Sequence, residues 1–248
     1  EYSLDSMYFL KELMDILGEL NWGLHDVVAE GAYSQFELDF HYTNLLEMAD
    51  RLVFLKILLK EVAKKHNAFV TFMPKPTIGD WRSGGHINFS LENINDGKNV
   101  FKDESSWSKE SQFAVGGLLT HSEALTAITC PTVNSYNGLV PTVGGFEGGV
   151  HTWAPVNITY GHNNRSAQFR LPQNRFCIEN RAADLTMNVY LALGMTISAA
   201  VEGIKNKIDP GKPSDIDLYS LTDEESKKLG IKRLPRNLLQ AIEALKKD

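Results

Sequence analysis

Residues 79–91 read Gly79-Asp-Trp-Arg-Ser-Gly-Gly-His-Ile-Asn-Phe-Ser-Leu91, a glycine-rich turn followed by an alternating segment. From His86 onward, polar and apolar side chains alternate, which is typical of a half-buried antiparallel strand. The turn brings the imidazole of His86 to the head of that strand. Residues 36–42 (FELDFHY) show the same alternation and therefore predict a second strand with one apolar and one polar face.

The remaining chain predicts helices interspersed with short strands. Helical spacing of apolar residues predicts helices over residues 4–20, 44–65, 110–128 and 188–204, and a terminal helix entered through Pro235. Further strands are predicted over residues 68–73, 156–160, 166–171 and 178–181, and a long loop over residues 131–152. Because no regular β-α-β alternation joins these strands, the order favours an α+β fold, organised as one domain over residues 1–248.

Composition narrows the functional classes. The 248 residues carry a formal net charge of -6, with 43% hydrophobic and 23% charged residues, as in an ordinary globular protein. The acidic balance gives no basic face for nucleic acid, and no apolar run is long enough to span a membrane, so we expect neither partner. Cys130 and Cys177 are too few for a disulfide framework, which favours a cytoplasmic protein.

Charged side chains cluster on the predicted strands and turns. Three carboxylates and one imidazole suit Mg²⁺ or Mn²⁺ better than zinc, namely those of Glu30, Glu37, Glu179 and His86. Three guanidinium groups suit phosphate oxygens, namely those of Arg165, Arg170 and Arg181. Period-two counting places Glu179 and Arg181 on one face of their strand, but Arg165 and Arg170 on opposite faces of theirs. This combination indicates nucleotide-dependent phosphoryl chemistry.

The same residues also have a structural interpretation. A single glutamate on a strand is usually exposed or paired, and Glu179 with Arg181 can form a local ion pair. The turn before His86 lacks the terminal Gly-Lys-Ser/Thr of a P-loop, so it is a weak phosphate motif. Residue types and spacing alone leave an enzyme and a structural domain both open.

A set of motifs along the chain points to a known family. Thr71-Phe-Met-Pro-Lys-Pro76, followed by Gly79-Asp80, Ser83-Gly84 and His86, resembles the ATP-binding signature of the glutamine synthetase family. Residues 30–37 resemble its E-x-x-x-G-Q-F-E segment. Further motifs follow in the family's order: Asn134-Ser-Tyr136, Leu139-Val-Pro141, Asn164-Arg-Ser-Ala167, Arg170-Leu-Pro172, Ile178-Glu179 with Arg181, Tyr190-Leu-Ala-Leu193 and Arg233-Leu-Pro-Arg236.

The resemblance implies a fold and a role for each matching residue. The fold would be a glutamine synthetase-type catalytic domain, with a curved antiparallel sheet carrying the active site and helices flanking it. Divalent-ion ligands would be Glu30 and Glu37 for one Mg²⁺ or Mn²⁺, and His86 and Glu179 for a second. ATP would contact Arg170, Asn88 and Ser90. Substrate and the transferring phosphoryl group would meet Arg165, Arg181, Gly84 and Glu147, the last matching the glutamate of an active-site flap.

The implied reaction is the ATP-dependent joining of ammonia to the γ-carboxylate of glutamate through γ-glutamyl phosphate. The family's usual partners are further copies of the chain, which form stacked rings, expected here as a dodecamer. The N-terminal β-grasp domain and the C-terminal end of the family lie outside residues 1–248, so the resemblance implies that this chain alone is inactive.

Departures from the family pattern keep two alternatives open. Gly138 stands where the family usually carries an arginine that clamps the substrate α-carboxylate, and Arg82 stands where many members have glycine. Residues 152–155 and 160–165 are more similar to the branch that joins glutamate to alkylamines or polyamines. The alternatives are therefore a γ-glutamyl-amine ligase and a non-catalytic structural relative, and Arg82 is the nearest candidate to replace the missing arginine.

Overall fold

The computed structural model describes residues 4–140, 154–219 and 221–248, and the chain divides into two compact units, residues 1–72 and 73–248. The first unit contains α1 (Leu4–Glu19), β1 (Leu24–Ala29), β2 (Phe36–Phe40) and α2 (Leu45–Lys65). The strands β1 and β2 form an antiparallel hairpin.

The core of the first unit lies between its two helices. Buried apolar residues of α1 and α2 form it: Phe9, Leu10, Leu13, Leu17, Leu55, Leu59, Val62 and Ala63. The predicted helices and the strand at residues 36–40 are confirmed. The strand predicted over residues 68–73 is not formed; all six residues are described, and Val70 and Phe72 pack against this core without pairing with another strand.

The helices of the second unit are α3 (Lys109–Thr120), α4 (Ser122–Thr129), α5 (Val133–Gly138), α6 (Val189–Asn206), α7 (Asp223–Lys228) and α8 (Leu238–Leu245). The single helix predicted over 110–128 is thus two helices divided at His121. α3 crosses α6 at glycines, since a Cβ on Gly117 would lie 2.1 Å from the Ala199 carbonyl oxygen. α8 begins after the N-cap Asn237, so Pro235 precedes the helix rather than occupying its first turn.

The strands of the second unit are short: β3 (Ile87–Phe89), β4 (Lys102–Asp103), β5 (Ser106–Trp107), β6 (Asn157–Ile158), β7 (Tyr160–His162), β8 (Phe169–Leu171), β9 (Ile178–Asn180) and β10 (Lys232–Arg233). Four of them form a sheet in the order β3-β9-β8-β7. β9 is antiparallel to both β3 and β8, whereas β7 and β8 run parallel, so the sheet is mixed. Its predicted curvature stays a prediction.

The loop predicted over residues 131–152 is partly helical. Thr132 and Ser135 form a capping box that starts α5, a six-residue helix without the long periodicity that sequence patterns detect. Residues 141–152 lie outside the described part of the chain. Among the described residues, no helix combines the length and the apolarity that a membrane crossing needs.

Candidate active site

Strand pairing brings candidate side chains to one face of the four-stranded sheet. Asn88 on β3 pairs with Glu179 on β9, and Glu179 also pairs with Arg170 on β8. Because side chains alternate along a strand, the residues two positions away share this face. It therefore carries five candidate residues: His86, Asn88, Arg170, Glu179 and Arg181. The opposite face contributes buried apolar side chains to the core: Ile87, Phe89, Phe169 and Ile178.

Glu179 is the centre of this face. The residue is only 3% exposed, and its carboxylate accepts from Arg181 Nη1 at 2.6 Å and from Arg170 Nη1 at 2.9 Å. Burial by itself raises the pKa of Glu179, but the charge of Arg181 and the bonded Arg170 lower the pKa overall. A buried carboxylate is retained in ionised form only with such compensation. The predicted shared face of Glu179 and Arg181 is confirmed by their contact.

His86 stands beside this carboxylate. Its Nδ1 lies 3.5 Å from Glu179 Oε1, and its side chain is 28% exposed. Desolvation by the surrounding atoms, and then the positive charge of Arg181, lower the pKa of His86 far below its ordinary value. The ring is therefore neutral near pH 7. Gly84 lies directly against it, because a Cβ on Gly84 would be 3.0 Å from His86 Nε2.

Arg165 lies in the turn between β7 and β8 rather than on a strand. Its side chain is exposed, and its backbone carbonyl accepts from Arg181 Nε at 2.9 Å. Period-two counting predicted that Arg165 and Arg170 lie on opposite faces of one strand. That counting applies only within a continuous strand, and β8 begins only at Phe169. Ser90 follows the last residue of β3 and is exposed, on the face expected from its alternation with His86.

Sequence reasoning missed side chains that hold the candidate residues in place. Asn163 Oδ1 accepts from Arg170 Nη2 at 2.5 Å, and Asn88 Oδ1 accepts from Arg175 Nη2 at 3.1 Å. Asn163 has a φ of 54°, in the left-handed region that asparagine tolerates, and the Asn-Asn pair before Arg165 could have indicated such a turn. Nothing in the local pattern identifies Arg175.

The predicted carboxylate pair Glu30 and Glu37 belongs to the first unit. Glu37 pairs with Val28 across the hairpin, and the Glu30 N–H donates to the Gln35 carbonyl at 2.9 Å at the end of β1. Glu30 is two positions after Val28, so both carboxylates lie on the same face of the hairpin. Both residues are half-buried. The hairpin therefore places on one face the two carboxylates that the resemblance assigns to one ion.

Arg82 is buried in the interior of the second unit, where its guanidinium group is hydrogen-bonded. It is 7% exposed, its Nη2 donates to the Ala182 carbonyl at 2.6 Å, and it lies 3.6 Å from Asp184 Oδ2. Its methylene groups cover Gly138, where a Cβ would lie 2.7 Å from Arg82 Cδ. These contacts do not support Arg82 as a replacement for the missing substrate-clamping arginine.

Two side chains of the second unit, His86 and Glu179, are of the types that bind a divalent cation. The neutral imidazole of His86 and the ionised carboxylate of Glu179 are both in their ligating forms. Each Glu179 oxygen accepts one arginine and keeps a further lone pair. Within the described ranges, no group of three or more His, Cys, Asp and Glu side chains is placed to hold a metal. Glu147, the candidate flap glutamate, lies outside the described residues.

Comparisons with known proteins agree over the whole chain. A family model described as "Glutamine synthetase, catalytic domain" matches residues 3–248. The glutamine synthetase of Aquifex aeolicus is 40% identical over 257 residues, covering 99% of this chain and 51% of that protein. That of Methanosarcina mazei is 43% identical over 223 residues, covering 88% and 47%.

The solved structure titled "GmaS/ADP complex-Conformation 1" has a TM-score of 0.88 and 34% identity. It is matched over 100% of this chain and 57% of that chain. The present chain spans about half the length of the curated relatives that it matches.

Proposed function

Because the chain belongs to the glutamine synthetase family, we propose that the full protein is an ATP-dependent ligase that joins ammonia to the γ-carboxylate of glutamate. The observation that carries the proposal is the buried Glu179, held between Arg170 and Arg181 beside a neutral His86 on one sheet face. So dense a set of charges is costly in a merely structural sheet, whereas it suits a site that binds anions and a cation together.

The arginines would hold the nucleotide and the transferring group. Arg170 and Arg165 would bind ATP phosphate oxygens, which planar guanidinium groups can grip with two parallel hydrogen bonds. Asn88 and Ser90, further along the same face, would contact the nucleotide. The relative whose title names an ADP complex supports a nucleotide site in this fold.

Divalent cations would neutralise part of the charge between the two anionic substrates. His86 and Glu179 of the second unit would bind one Mg²⁺ or Mn²⁺, and Glu30 and Glu37 of the first unit would bind another. Their carboxylate oxygens and imidazole nitrogen are suitable donors for either ion.

The proposed reaction has two steps. The γ-carboxylate oxygen of glutamate attacks the γ-phosphorus of ATP, the bond to ADP breaks, and γ-glutamyl phosphate forms. Ammonia then attacks the acyl carbon, loses a proton, and inorganic phosphate leaves. Arg181 and Gly84 would position the glutamate, Arg165 would stabilise the phosphoryl group during transfer, and Glu147 would close the site as part of a flap.

The acceptor amine is the point on which an alternative remains. Residues 160–165 resemble the branch that uses alkylamines or polyamines, so a γ-glutamyl-amine ligase is the second candidate. The same residues would activate glutamate in both enzymes, and only the second step differs. In either case we propose that the active protein is a homo-oligomer of stacked rings.

Phosphate release by the full-length protein tests the proposal. We expect release that requires ATP, Mg²⁺, glutamate and one of three amines assayed in parallel: ammonia, methylamine or a polyamine. Glu179→Gln should lower this rate by about a hundredfold or more, because it removes a charge that two arginines and the cation share. Glu110→Gln, an exposed position in the first turn of α3, should leave the rate unchanged. A folded Glu179→Gln variant with full activity, or a wild type inactive with all three amines, contradicts the proposal.

A further inference from the structure

A segment of the second unit, residues 209–219, is fixed against the turn that carries Arg165. The Ser214 N–H donates to the Tyr160 carbonyl at 2.8 Å. From the turn, the Asn164 side chain donates to two backbone carbonyls of the segment, at 2.6 and 2.8 Å. These hydrogen bonds connect the segment to the turn and to β7.

Tyr219 ends this segment at the candidate active site. Its hydroxyl donates to the backbone carbonyl oxygen of Arg165 at 2.8 Å. The Nε of Arg181 donates to the same oxygen at 2.9 Å. Tyr219, Arg181 and the turn of Arg165 thus meet at a single oxygen atom.

This oxygen is one of two acceptors that set the orientation of the Arg181 guanidinium group. One end of the guanidinium group, Nη1, is bonded to Glu179 at 2.6 Å, and Nε is bonded to the Arg165 carbonyl. A planar group held at two points has a fixed orientation only if both acceptors are themselves fixed. Glu179 is held by its strand, whereas the Arg165 carbonyl belongs to a turn.

We propose that Tyr219 is a positioning residue for Arg165 and Arg181. Its hydroxyl fixes the shared carbonyl, so that the Arg165 turn and the Arg181 guanidinium keep the geometry that the substrates meet. This inference rests on the proposed function, because it assumes that these arginines act on the γ-phosphoryl group and the glutamate carboxylate. Small misplacements of such groups cause large losses in rate.

Two matched variants of the full-length protein test the proposal. Tyr219→Phe removes only the hydroxyl at the shared carbonyl. Tyr160→Phe removes the same kind of bond from the same segment, since the Tyr160 hydroxyl donates to the Gly211 carbonyl at 2.8 Å. We expect Tyr219→Phe to lower kcat for glutamate-dependent phosphate release by about tenfold with a smaller change in KM for ATP. Tyr160→Phe should keep the wild-type kcat.

Calorimetric binding in the presence of Mg²⁺ gives a readout besides activity. We expect Tyr219→Phe to bind a non-hydrolysable ATP analogue about threefold more weakly and to bind ADP normally, because only the analogue carries the γ-phosphoryl group. Equal losses in Tyr160→Phe, or parallel losses for both nucleotides together with a lower melting temperature, would show a general structural role and overturn the proposal.

The same measurements separate this inference from the proposed function. An active wild type whose Tyr219→Phe variant is unchanged in kcat and in binding overturns the role of Tyr219 alone. A wild type that releases no phosphate and binds neither nucleotide overturns the proposed function, and the inference with it.

Discussion

Replacing Gly138 with alanine tests the contact between α5 and the buried Arg82. Gly138 is the last residue of α5, and an added Cβ would lie 2.7 Å from Arg82 Cδ and 2.8 Å from Arg82 Cγ. Carbon atoms in contact are normally about 3.5–4.0 Å apart, so the arginine would have to retreat. Its bonds to the Ala182 carbonyl and its pairing with Asp184 oppose that movement.

The expected size of the effect follows from two opposing contributions. Overpacking a buried contact costs about 1–3 kcal/mol. Alanine is favoured over glycine inside a helix by about 1 kcal/mol, and by less at a terminal position. The steric contribution is therefore the larger one, and we expect Gly138→Ala to lower the free energy of unfolding by about 1–2 kcal/mol.

Urea unfolding of the full-length protein can measure the effect of Gly138→Ala in three backgrounds: wild type, Arg82→Ala and Arg82→Lys. The comparison tests whether the contact with Arg82 causes the loss of stability. Arg82→Ala removes both clashing carbons, so Gly138→Ala should cost nothing in that background. Arg82→Lys keeps those carbons and the charge, so Gly138→Ala should cost as much as in wild type. If Gly138→Ala lowered the unfolding free energy as much in the Arg82→Ala background as in wild type, the proposed steric conflict would be refuted.

Two further measurements address packing and electrostatics. Gly203→Ala should lower the unfolding free energy by about 3 kcal/mol, because the added Cβ would lie 2.2 Å from the Phe113 carbonyl oxygen. Gly194 lies in the same helix with open space around it, so Gly194→Ala should be neutral or stabilising. Equal effects of the two substitutions would contradict the steric explanation. In the first unit, the hydrogen bond from Lys65 lowers the pKa of Glu12 below its ordinary 4.5, so its contribution to stability is present above that pH and is lost on acidification. Glu12→Gln should therefore reduce the difference in unfolding free energy between pH 7 and pH 3, and an unchanged difference would refute this assignment.

Sequence patterns could predict which candidate residues share a strand face, because alternation is a local property. His86 and Asn88 follow from the period of residues 86–91, and Glu179 and Arg181 from their own short segment. That Glu179 pairs with Asn88 could not be predicted this way, since no local signal sets the register between distant strands. Only the resemblance to a family predicted that residues of distant strands, such as His86 and Glu179, belong to one site.

Other features depend on contacts that a sequence does not display. α5 is started by a capping box rather than by apolar periodicity, so its residues were predicted as part of a loop. The roles of Asn163 and Tyr219 arise where two segments meet, and Gly138 is understood only from the side chain of Arg82 that covers it.

The connections between the site strands differ greatly in length. β8 and β9 are joined by residues 172–177, whereas residues 90–168 separate β3 from β8 and include α3, α4 and α5. Doubling a long connection costs only about 0.6 kcal/mol in closure entropy, while a short one cannot change without moving its strands. The departures from the family pattern at Gly138 and at residues 152–155 and 160–165 fall in the long connection. This architecture would let residues in one stretch of chain vary while the arginine–glutamate pairing is preserved in another.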